Sequence, residues 1–280
     1  MTVHTLDTGL FKLDGGAMFG VVPKSMWQKL VPADDHNMCT WALRCLLVED
    51  GNRLTLVDTG IGSKQDGKFR GHFYLHGDDT LENSLRQRGF TSSDITDVFL
   101  THLHFDHVGG AVVRTPDDKL QLAFPNATYW SNQAHWDWAL TPNPREKASF
   151  LQENIRPIQE SGHLQFVQEG VPAGLPMFQE IVFVDGHTEK MMLPVLPYKG
   201  RTLAFVADLI PSAAHVPLPY VMGYDMRPLQ TMQEKDTLLQ RAAQENWVLV
   251  LEHDAQTECI TVQHTEKGIR VAERFRLSEL

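Results

Sequence analysis

The sequence is poor in cysteine and in positive charge. Its three cysteines, Cys39, Cys45 and Cys259, form an odd set without C-x-x-C spacing, which indicates neither a disulfide framework nor a cysteine metal site. Lys and Arg number 25 against 35 Asp and Glu, for a formal net charge of -10. Binding to a phosphate backbone depends on clustered Lys and Arg. We therefore expect buried, reduced cysteines and no nucleic-acid partner.

Long apolar runs and linkers are also missing. No stretch approaches the ~20 apolar residues of a membrane span, and no basic region leads into an apolar core at the N-terminus. No Pro/Gly/Ser-rich linker, internal repeat or low-complexity run divides the 280 residues. We therefore expect a cytoplasmic protein without a membrane partner, folded as one domain over residues 1–280. Its 42% hydrophobic content is sufficient for a sizeable core.

Histidine and aspartate are concentrated in one place. The stretch His102-Leu103-His104-Phe105-Asp106-His107 follows an apolar segment, 98–100, that predicts a buried strand. On an extended strand end His102 and His104 point to the same side, and Gly109-Gly110 forces a turn near Asp106 and His107. Imidazole and carboxylate ligands without cysteine favour an open, hydrolytic site for zinc or a similar divalent ion.

Strand and helix patterns alternate along the rest of the chain. Residues 2–22, around Asp14-Gly15-Gly16, predict strand, turn and strand. The glycine-rich residues 61–79 predict a loop in which His72 and His76 are solvated. Apolar residues at helical spacing predict helices in each half of the chain. Further buried strands are predicted directly before His187, Asp208 and His253.

The segment 23–38 is irregular yet carries large apolar residues, among them Trp27. Such residues can pack in the core, but long loops with their own apolar residues are often functional. We keep both interpretations: core packing, or an extended lid or dimer-contact segment of a possible homodimer.

The histidine-rich stretch resembles a known signature. It matches the HxHxDH motif of the metallo-β-lactamase superfamily, with Thr101 before it and Gly109-Gly110 after it. The resemblance implies an α/β (α+β) fold, a four-layer αββα sandwich with metals at one edge between two sheets. It also implies that Asp58, at the end of a predicted strand, holds loops below the metals and is not a ligand.

The same resemblance implies a complete ligand set for two divalent ions. His187, Asp208 and His253 each follow an apolar strand, and their order matches the remaining metal positions. By resemblance, the first ion is bound by His102, His104 and His187, and the second by Asp106, His107 and His253. Asp208 bridges the two. Zinc is the default, with iron, manganese or cobalt as alternatives.

Two such ions, about 3.5–4 Å apart, lower the pKa of a shared water towards ~7 and give a bridging hydroxide at neutral pH. No serine or cysteine nucleophile is then needed. Asp208, as the bridge, and Asp106, as a ligand that exchanges a proton with the intermediate, are the candidate catalytic residues. We expect hydrolysis of a lactone, an ester or a related small-molecule substrate.

Within the superfamily the layout resembles N-acyl-homoserine lactonases and methyl-parathion-hydrolase-like enzymes. Those lactonases often carry a tyrosine three residues after the bridging aspartate, whereas Pro211 stands here. His215, Tyr220 or Tyr224 can replace it, or each can be an ordinary loop residue. The candidate residues for lining a substrate pocket are Trp27, Trp136, His215 and Tyr220, with core packing as the alternative for the aromatic ones.

Other functions stay open. A glyoxalase II-like thioesterase would need a basic glutathione-binding patch, and Arg270, Arg274 and Arg276 are too scattered to form one convincingly. An organophosphate triesterase is a further enzymatic alternative. The non-enzymatic alternative is a metal-retaining binding or regulatory protein, which the intact ligand set disfavours.

Overall fold

Two six-stranded sheets form the centre of the structure, a computed structural model that describes residues 1–170 and 174–280. The first sheet has the order β1-β2-β3-β4-β7-β8 and the second β14-β13-β12-β11-β10-β9, while β5 and β6 form a separate ribbon. The strands are β1 (Thr2–Asp14), β2 (Met38–Asp50), β3 (Arg53–Val57), β4 (Asp97–Phe99), β5 (Val112–Arg114), β6 (Leu120–Leu122), β7 (Thr128–Ser131), β8 (Leu164–Phe166), β9 (Glu180–Val184), β10 (Met191–Tyr198), β11 (Arg201–Phe205), β12 (Val248–Val250), β13 (Cys259–Thr265) and β14 (Gly268–Phe275).

Helices cover the outer faces of both sheets. They are α1 (Gly15–Phe19), α2 (Lys24–Trp27), α3 (Gly67–Phe73), α4 (Leu81–Gln87), α5 (Phe105–Val108), α6 (Gln133–Leu140), α7 (Gln152–Glu160) and α8 (Pro228–Glu245). Leu85, Trp136 and Ile155 of α4, α6 and α7 pack on the first sheet, and Leu239 of α8 packs on the second. The result is the predicted four-layer αββα sandwich. Within the described residues, no helix combines the length and apolar character needed to cross a membrane.

Strand β2 shows why the sequence gives this layering. Its side chains alternate: Leu46 and Val48 pack between the sheets, while Cys45 and Leu47 pack under the helices. A strand that is buried on both faces has a nearly continuous apolar sequence. Cys45, like the other two cysteines, is free and buried, as predicted.

The strand directions bring several loops to one edge of the sandwich. Strands β3, β4 and β7 run parallel to one another in the first sheet, and β11 and β12 are parallel in the second. The carboxyl ends of parallel strands meet at one sheet edge, which is where such sheets hold their ligands. The loops after β3, β4, β11 and β12 therefore lie together.

Two of the predicted elements are wrong. The chain enters helix α1 after β1 instead of turning into a second strand, because the Asp14 side chain accepts a hydrogen bond from the Ala17 N–H at 2.8 Å and caps the helix. Residues 61–79 contain helix α3, which Asp66 caps at Phe69 N (2.8 Å). His72 and His76 are exposed there, as predicted.

The segment 23–38 is folded against the core around Trp27. That indole is 1% exposed and stacks on Phe19 with ring centroids 5.2 Å apart. Met26 and Leu30 are each at least half exposed, at 52% and 50%. Core packing thus accounts for Trp27, while the role of this segment as a lid or dimer contact stays a prediction.

Candidate metal centre

The candidate ligands all lie in loops at the shared sheet edge. The motif loop follows β4, His187 follows β9, and Asp208 and His253 follow β11 and β12. His102 and His104 lie beyond the end of β4 and not on it, yet their rings meet at a centroid distance of 4.5 Å. Asp106 and His107 belong to the single turn of α5. The structure thus brings together all seven ligands that the sequence indicated.

Four of these side chains converge on a first position. His102, His104, His187 and Asp208 are buried, and each offers one nitrogen or oxygen within 4.8 Å of the others. Asp208 Oδ2 lies 3.0 Å from His187 Nε2 and 3.9 Å from His102 Nε2. Nitrogen and carboxylate oxygen atoms around one point are the ligands that zinc takes in proteins.

Three more side chains converge on a second position. The Nε2 atoms of His107 and His253 are 3.2 Å apart, and Asp106 Oδ2 lies 3.9 Å from each of them. Asp208 reaches this position as well, with Oδ1 3.0 Å from His253 Nε2. Its Oδ2 is also 3.6 Å from His107 Nε2, so Asp208 lies against both positions, as a bridging carboxylate would.

These atoms approach one another without satisfying one another. Within the described residues, the buried His102 Nε2 has no hydrogen-bond partner, and Asp208 Oδ1 has only the 3.0 Å approach of His253 Nε2, whose geometry is not that of a hydrogen bond. Buried polar atoms are otherwise almost always paired. An ion at the common focus of the lone pairs would satisfy them, so the donor set fits divalent metals.

The buried carboxylates of the cluster also stabilise positive charge at the metal positions. Burial alone would lower the pKa of His187, but Asp208 and Asp225 overcome it and raise that pKa to about 10. The pKa of His253 is likewise raised to about 9, mainly by Asp208, against the effect of burial. Without metal the carboxylates hold protons on these rings, and bound metal would displace those protons.

Two carboxylates orient the rings of the first position from behind. Glu146 Oε1 is 3.0 Å from His104 Nε2, which leaves Nδ1 of that ring for a metal. Asp225 Oδ1 is 2.9 Å from His187 Nδ1, which leaves its Nε2 free. Outer partners of this kind fix the tautomer and orientation of a ligating histidine. Sequence reasoning missed both residues, because neither stands in a motif or at the end of a strand.

Both carboxylate oxygens of Glu146 have hydrogen-bond partners. Glu146 also accepts hydrogen bonds from Trp138 Nε1 at 2.7 Å, Asn143 Nδ2 at 3.1 Å and the Thr188 hydroxyl. Burial would raise the pKa of Glu146, but the hydrogen bond and charge of His104, with these other donors, lower it to about 2. The side chain is therefore an anion that neighbouring groups hold in one orientation.

The second position is supported differently. Its His107 Nδ1 lies between two buried carboxylates, 3.2 Å from Asp58 Oδ2 and 3.1 Å from Glu252 Oε1. Asp58 also accepts hydrogen bonds from the backbone and hydroxyl of Thr101, at 2.8 and 2.6 Å. His253 Nδ1 instead donates to the carbonyl of Ala42 at 2.8 Å. Asp58 thus supports the motif loop, and Glu252 is a partner that sequence reasoning missed.

Gly109 and Gly110 matter for a reason other than a turn. Neither backbone requires a positive φ. A Cβ on Gly109 would lie 2.1 Å from the Ile61 carbonyl oxygen, and one on Gly110 would lie 2.2 Å from that of Thr59. The pair lets the motif loop pack directly on the loop after β3, which carries Asp58.

The four residues predicted to line a pocket are mostly packing residues. Trp136 is 1% exposed in the core under the helices. Trp27, His215 and Tyr220 all surround Phe19. His215 is fully buried, and its ring nitrogens lie 2.8 Å from Ser212 Oγ and 2.9 Å from the Met18 carbonyl.

Other aromatic residues lie closer to the ligands. Phe105 precedes Asp106, and its ring packs against Phe73 and Phe69 of α3 at centroid distances of 4.6 and 5.4 Å. Tyr224 precedes Asp225 and is 39% exposed. Burial, and then the charge of Asp106, raises the pKa of Tyr224 to about 12. These side chains give the site an apolar wall and a phenol group.

A buried metal-ligand cluster at one edge of an αββα sandwich defines a class of protein. A sequence model of the metallo-beta-lactamase superfamily matches residues 44–253, and the chain belongs to that superfamily. Its ligand-bearing loops from β3 to His253 all lie within the matched range.

Individual relatives are similar over part of the chain. N-acyl homoserine lactonase AiiA of Bacillus thuringiensis subsp. kurstaki is 32% identical over 99 residues, which cover 31% of this chain and 38% of the lactonase. A probable metallo-hydrolase of Mycobacterium tuberculosis is 35% identical over 112 residues, which cover 34% of this chain and 35% of that protein. The chain thus spans well under half the length of these relatives.

Solved structures match over nearly the whole chain. A probable metal-dependent hydrolase from Staphylococcus aureus is similar with a TM-score of 0.88 and 26% identity, covering 100% of this chain and 98% of that one. AidC, a dizinc quorum-quenching lactonase in complex with a product, N-hexanoyl-L-homoserine, has a TM-score of 0.79 and 22% identity, covering 98% and 94%. The likeness to AidC concerns the fold alone.

Proposed function

We propose that the chain is a dinuclear metal-dependent hydrolase that acts on a lactone, an ester or a related small molecule. One observation carries the proposal. Asp208 lies between two clusters of imidazoles, with Oδ2 3.0 Å from His187 Nε2 and Oδ1 3.0 Å from His253 Nε2. A carboxylate in that place can hold two ions side by side, which is the arrangement of two-metal hydrolytic sites.

When bound, two divalent ions would activate a shared water and polarise the substrate oxygen. Residues of the chain would then transfer the protons of the reaction. Asp106 lies 3.9 Å from His107 and from His253 and is 8% exposed, so solvent can reach a carboxylate that adjoins the ligands. We assign to Asp106 the uptake of a proton from that water and its return to the leaving oxygen.

Tyr224 is the proposed hydrogen-bond donor to the leaving oxygen, which takes its proton from Asp106, so the phenol keeps its own proton. Its raised pKa, about 12, keeps the phenol protonated at neutral pH, and its ring is partly exposed beside the loop that holds His187. Pro211 serves the backbone instead, because its carbonyl accepts the His253 N–H at 3.1 Å. Both ring nitrogens of the buried His215 already have hydrogen-bond partners, so we do not assign this donor role to it.

The walls of the site favour a substrate with an apolar portion. Phe69 and Phe73 are half-buried around Phe105, so their rings can cover an acyl chain and remove it from water. Each buried CH₂ group contributes about 0.8 kcal/mol. Similarity over part of the chain to an N-acyl homoserine lactonase, 32% identical over 99 residues, supports the same substrate class.

The proposal is tested by turnover of metal-depleted and zinc-reloaded protein on three substrates. These are a long-chain acyl lactone, a glutathione thioester and an aryl phosphotriester. We expect zinc to restore turnover, with the lactone as the best substrate and longer acyl chains favoured. Preference for the thioester or the triester would replace the proposed substrate with that of the corresponding alternative. No turnover of any ester, together with tight ligand binding, would instead indicate a regulatory protein.

The role of Asp106 has its own test. We expect Asp106→Asn to lose turnover, because an amide can neither accept nor return the proton. Metal content measured on the same sample separates this role from ligand loss. Full turnover with both metals retained would exclude proton transfer by Asp106.

A further inference from the structure

Helix α6 contacts the two loops that supply the histidines of the first metal position. Its His135 is fully buried. The Nε2 atom of His135 accepts the backbone N–H of Leu103 at 2.9 Å, and its Nδ1 is within hydrogen-bond distance of the Glu189 carbonyl. Leu103 stands between the ligands His102 and His104, and Glu189 stands two residues after His187. One ring therefore joins the motif loop to the His187 loop.

These two bonds require a single form of the ring. Because Nε2 must present a lone pair to the Leu103 N–H, the proton is on Nδ1, from which it is donated to Glu189. Burial lowers the pKa of His135 to about 4, so the ring stays neutral at neutral pH. The contact is the same throughout the range in which zinc binds imidazole.

The start of α6 is fixed from the same two sides. Asn132 caps the helix by accepting the His135 N–H at 2.9 Å, and its amide donates to the Lys190 carbonyl at 2.8 Å. Nearby, a backbone hydrogen bond from Met192 to Thr101, at 2.9 Å, joins the start of β10, which follows the His187 loop, to the motif loop. The side chain of His135 thus lies between the motif loop and the His187 loop, with hydrogen bonds to both.

We propose that His135, although not a ligand, positions the motif loop and the His187 loop and thereby raises the metal affinity of the first position. The inference rests on the proposed metal centre. His104 Nδ1 and His187 Nε2 lie 3.2 Å apart and come from these two loops. A metal needs both nitrogens at fixed distances, so a change in the spacing of the loops weakens binding.

The chain offers a matched control in His215. Like His135, it is fully buried, its pKa is lowered mainly by burial, to about 3, and both of its ring nitrogens have partners. Its partners, Ser212 and Met18, are not in the motif loop or the His187 loop. A histidine-to-phenylalanine change at His215 therefore removes comparable bonds without uncoupling those loops.

The test compares His135→Phe and His215→Phe in a zinc titration against a chromophoric chelator. We expect His135→Phe to weaken one of the two zinc equivalents by about 10- to 100-fold and to leave the other within about threefold. We expect His215→Phe to keep both affinities within about threefold. Urea unfolding of the metal-free proteins measures the folding cost of each change separately.

A folded His135→Phe protein that binds both equivalents with wild-type affinity would overturn the inference, as would an equal loss in the His215 variant. If His135→Phe does not fold, His135→Asn replaces it, with the same expected loss and the same overturning result. Asn can place a donor near the Nδ1 position but is too short to accept from Leu103. Fewer than two zinc equivalents in the wild type would refute the proposed function itself, whatever the variants show.

Discussion

The two halves of the candidate metal centre place their negative charge differently. In the first, three imidazoles face the metal position, and the carboxylates of Glu146 and Asp225 stand behind them, each on one ring. In the second, Asp106 faces the metal position directly. Behind it, two acids share the single ring of His107, and His253 relies on a backbone carbonyl.

This difference indicates which acidic residues can be replaced with little loss of metal binding. Within the described residues, each outer acid of the first half is the sole carboxylate on the ring nitrogen that faces away from the metal position, so its loss leaves that nitrogen without an anionic partner. In the second half, His107 has a spare acceptor. Asp208 serves both halves. We therefore expect effects to fall in the order bridge, outer acid of the first half, outer acid of the second half.

Loss of the bridge is expected to have the largest effect. Asp208→Asn removes the charge that both positions share, and the loss of several kcal/mol of charge stabilisation slows turnover by about 10³-fold. Metal content should fall below two equivalents, as measured by elemental analysis. Asp118→Asn is the control, because that side chain is 83% exposed and its φ of 64° suits Asn. If Asp208→Asn retained two metals and normal turnover, Asp208 would not be the bridging ligand that the reaction needs.

Loss of an outer acid in the first half comes next. Glu146→Gln keeps the shape but removes the negative charge behind His104, so we expect one zinc equivalent to bind about 10- to 100-fold more weakly. The chelator titration measures this, with Glu153→Gln, which pairs with Arg114 near the surface, as the control. An unchanged affinity would mean that Glu146 serves only the fold.

Loss of an outer acid in the second half is expected to be smallest. Glu252→Gln leaves Asp58 as an acceptor for His107, so zinc affinity should fall by less than the ~10-fold typical of an outer-partner loss. The same titration compares it directly with Glu146→Gln. A larger loss for Glu252→Gln than for Glu146→Gln would reverse the comparison between the halves.

The sequence indicated the candidate ligands that the structure brings together, because their signal is local. Histidine or aspartate immediately after a buried strand, as at His187, Asp208 and His253, is visible without knowledge of the fold. The superfamily resemblance then supplied the grouping and the αββα layers.

The outer residues carry no such signal. Glu146 lies between α6 and α7, and it reaches His104 only because those helices pack on the first sheet. His135 was visible as part of a helix, but its bonds depend on a loop more than fifty residues away. Tertiary packing alone decides such contacts.

The two misread elements have a similar cause. Gly15 and Gly16 favour a turn by propensity, and Gly67 and Gly71 disfavour a helix. In α1 a cap from Asp14, and in α3 the packing of Phe69 and Phe73 on Phe105, override that preference. Tertiary packing also decides the place of Trp27 and Trp136, whose side chains are each 1% exposed and lie in the core.

The central claim is that two ions sit side by side on Asp208. Anomalous diffraction at the zinc absorption edge, on crystals of the zinc-loaded protein, tests it most directly. We expect two zinc peaks about 3.5–4 Å apart. One should lie beside His102, His104 and His187, and the other beside Asp106, His107 and His253. A single peak, or peaks that do not both contact Asp208, would contradict it.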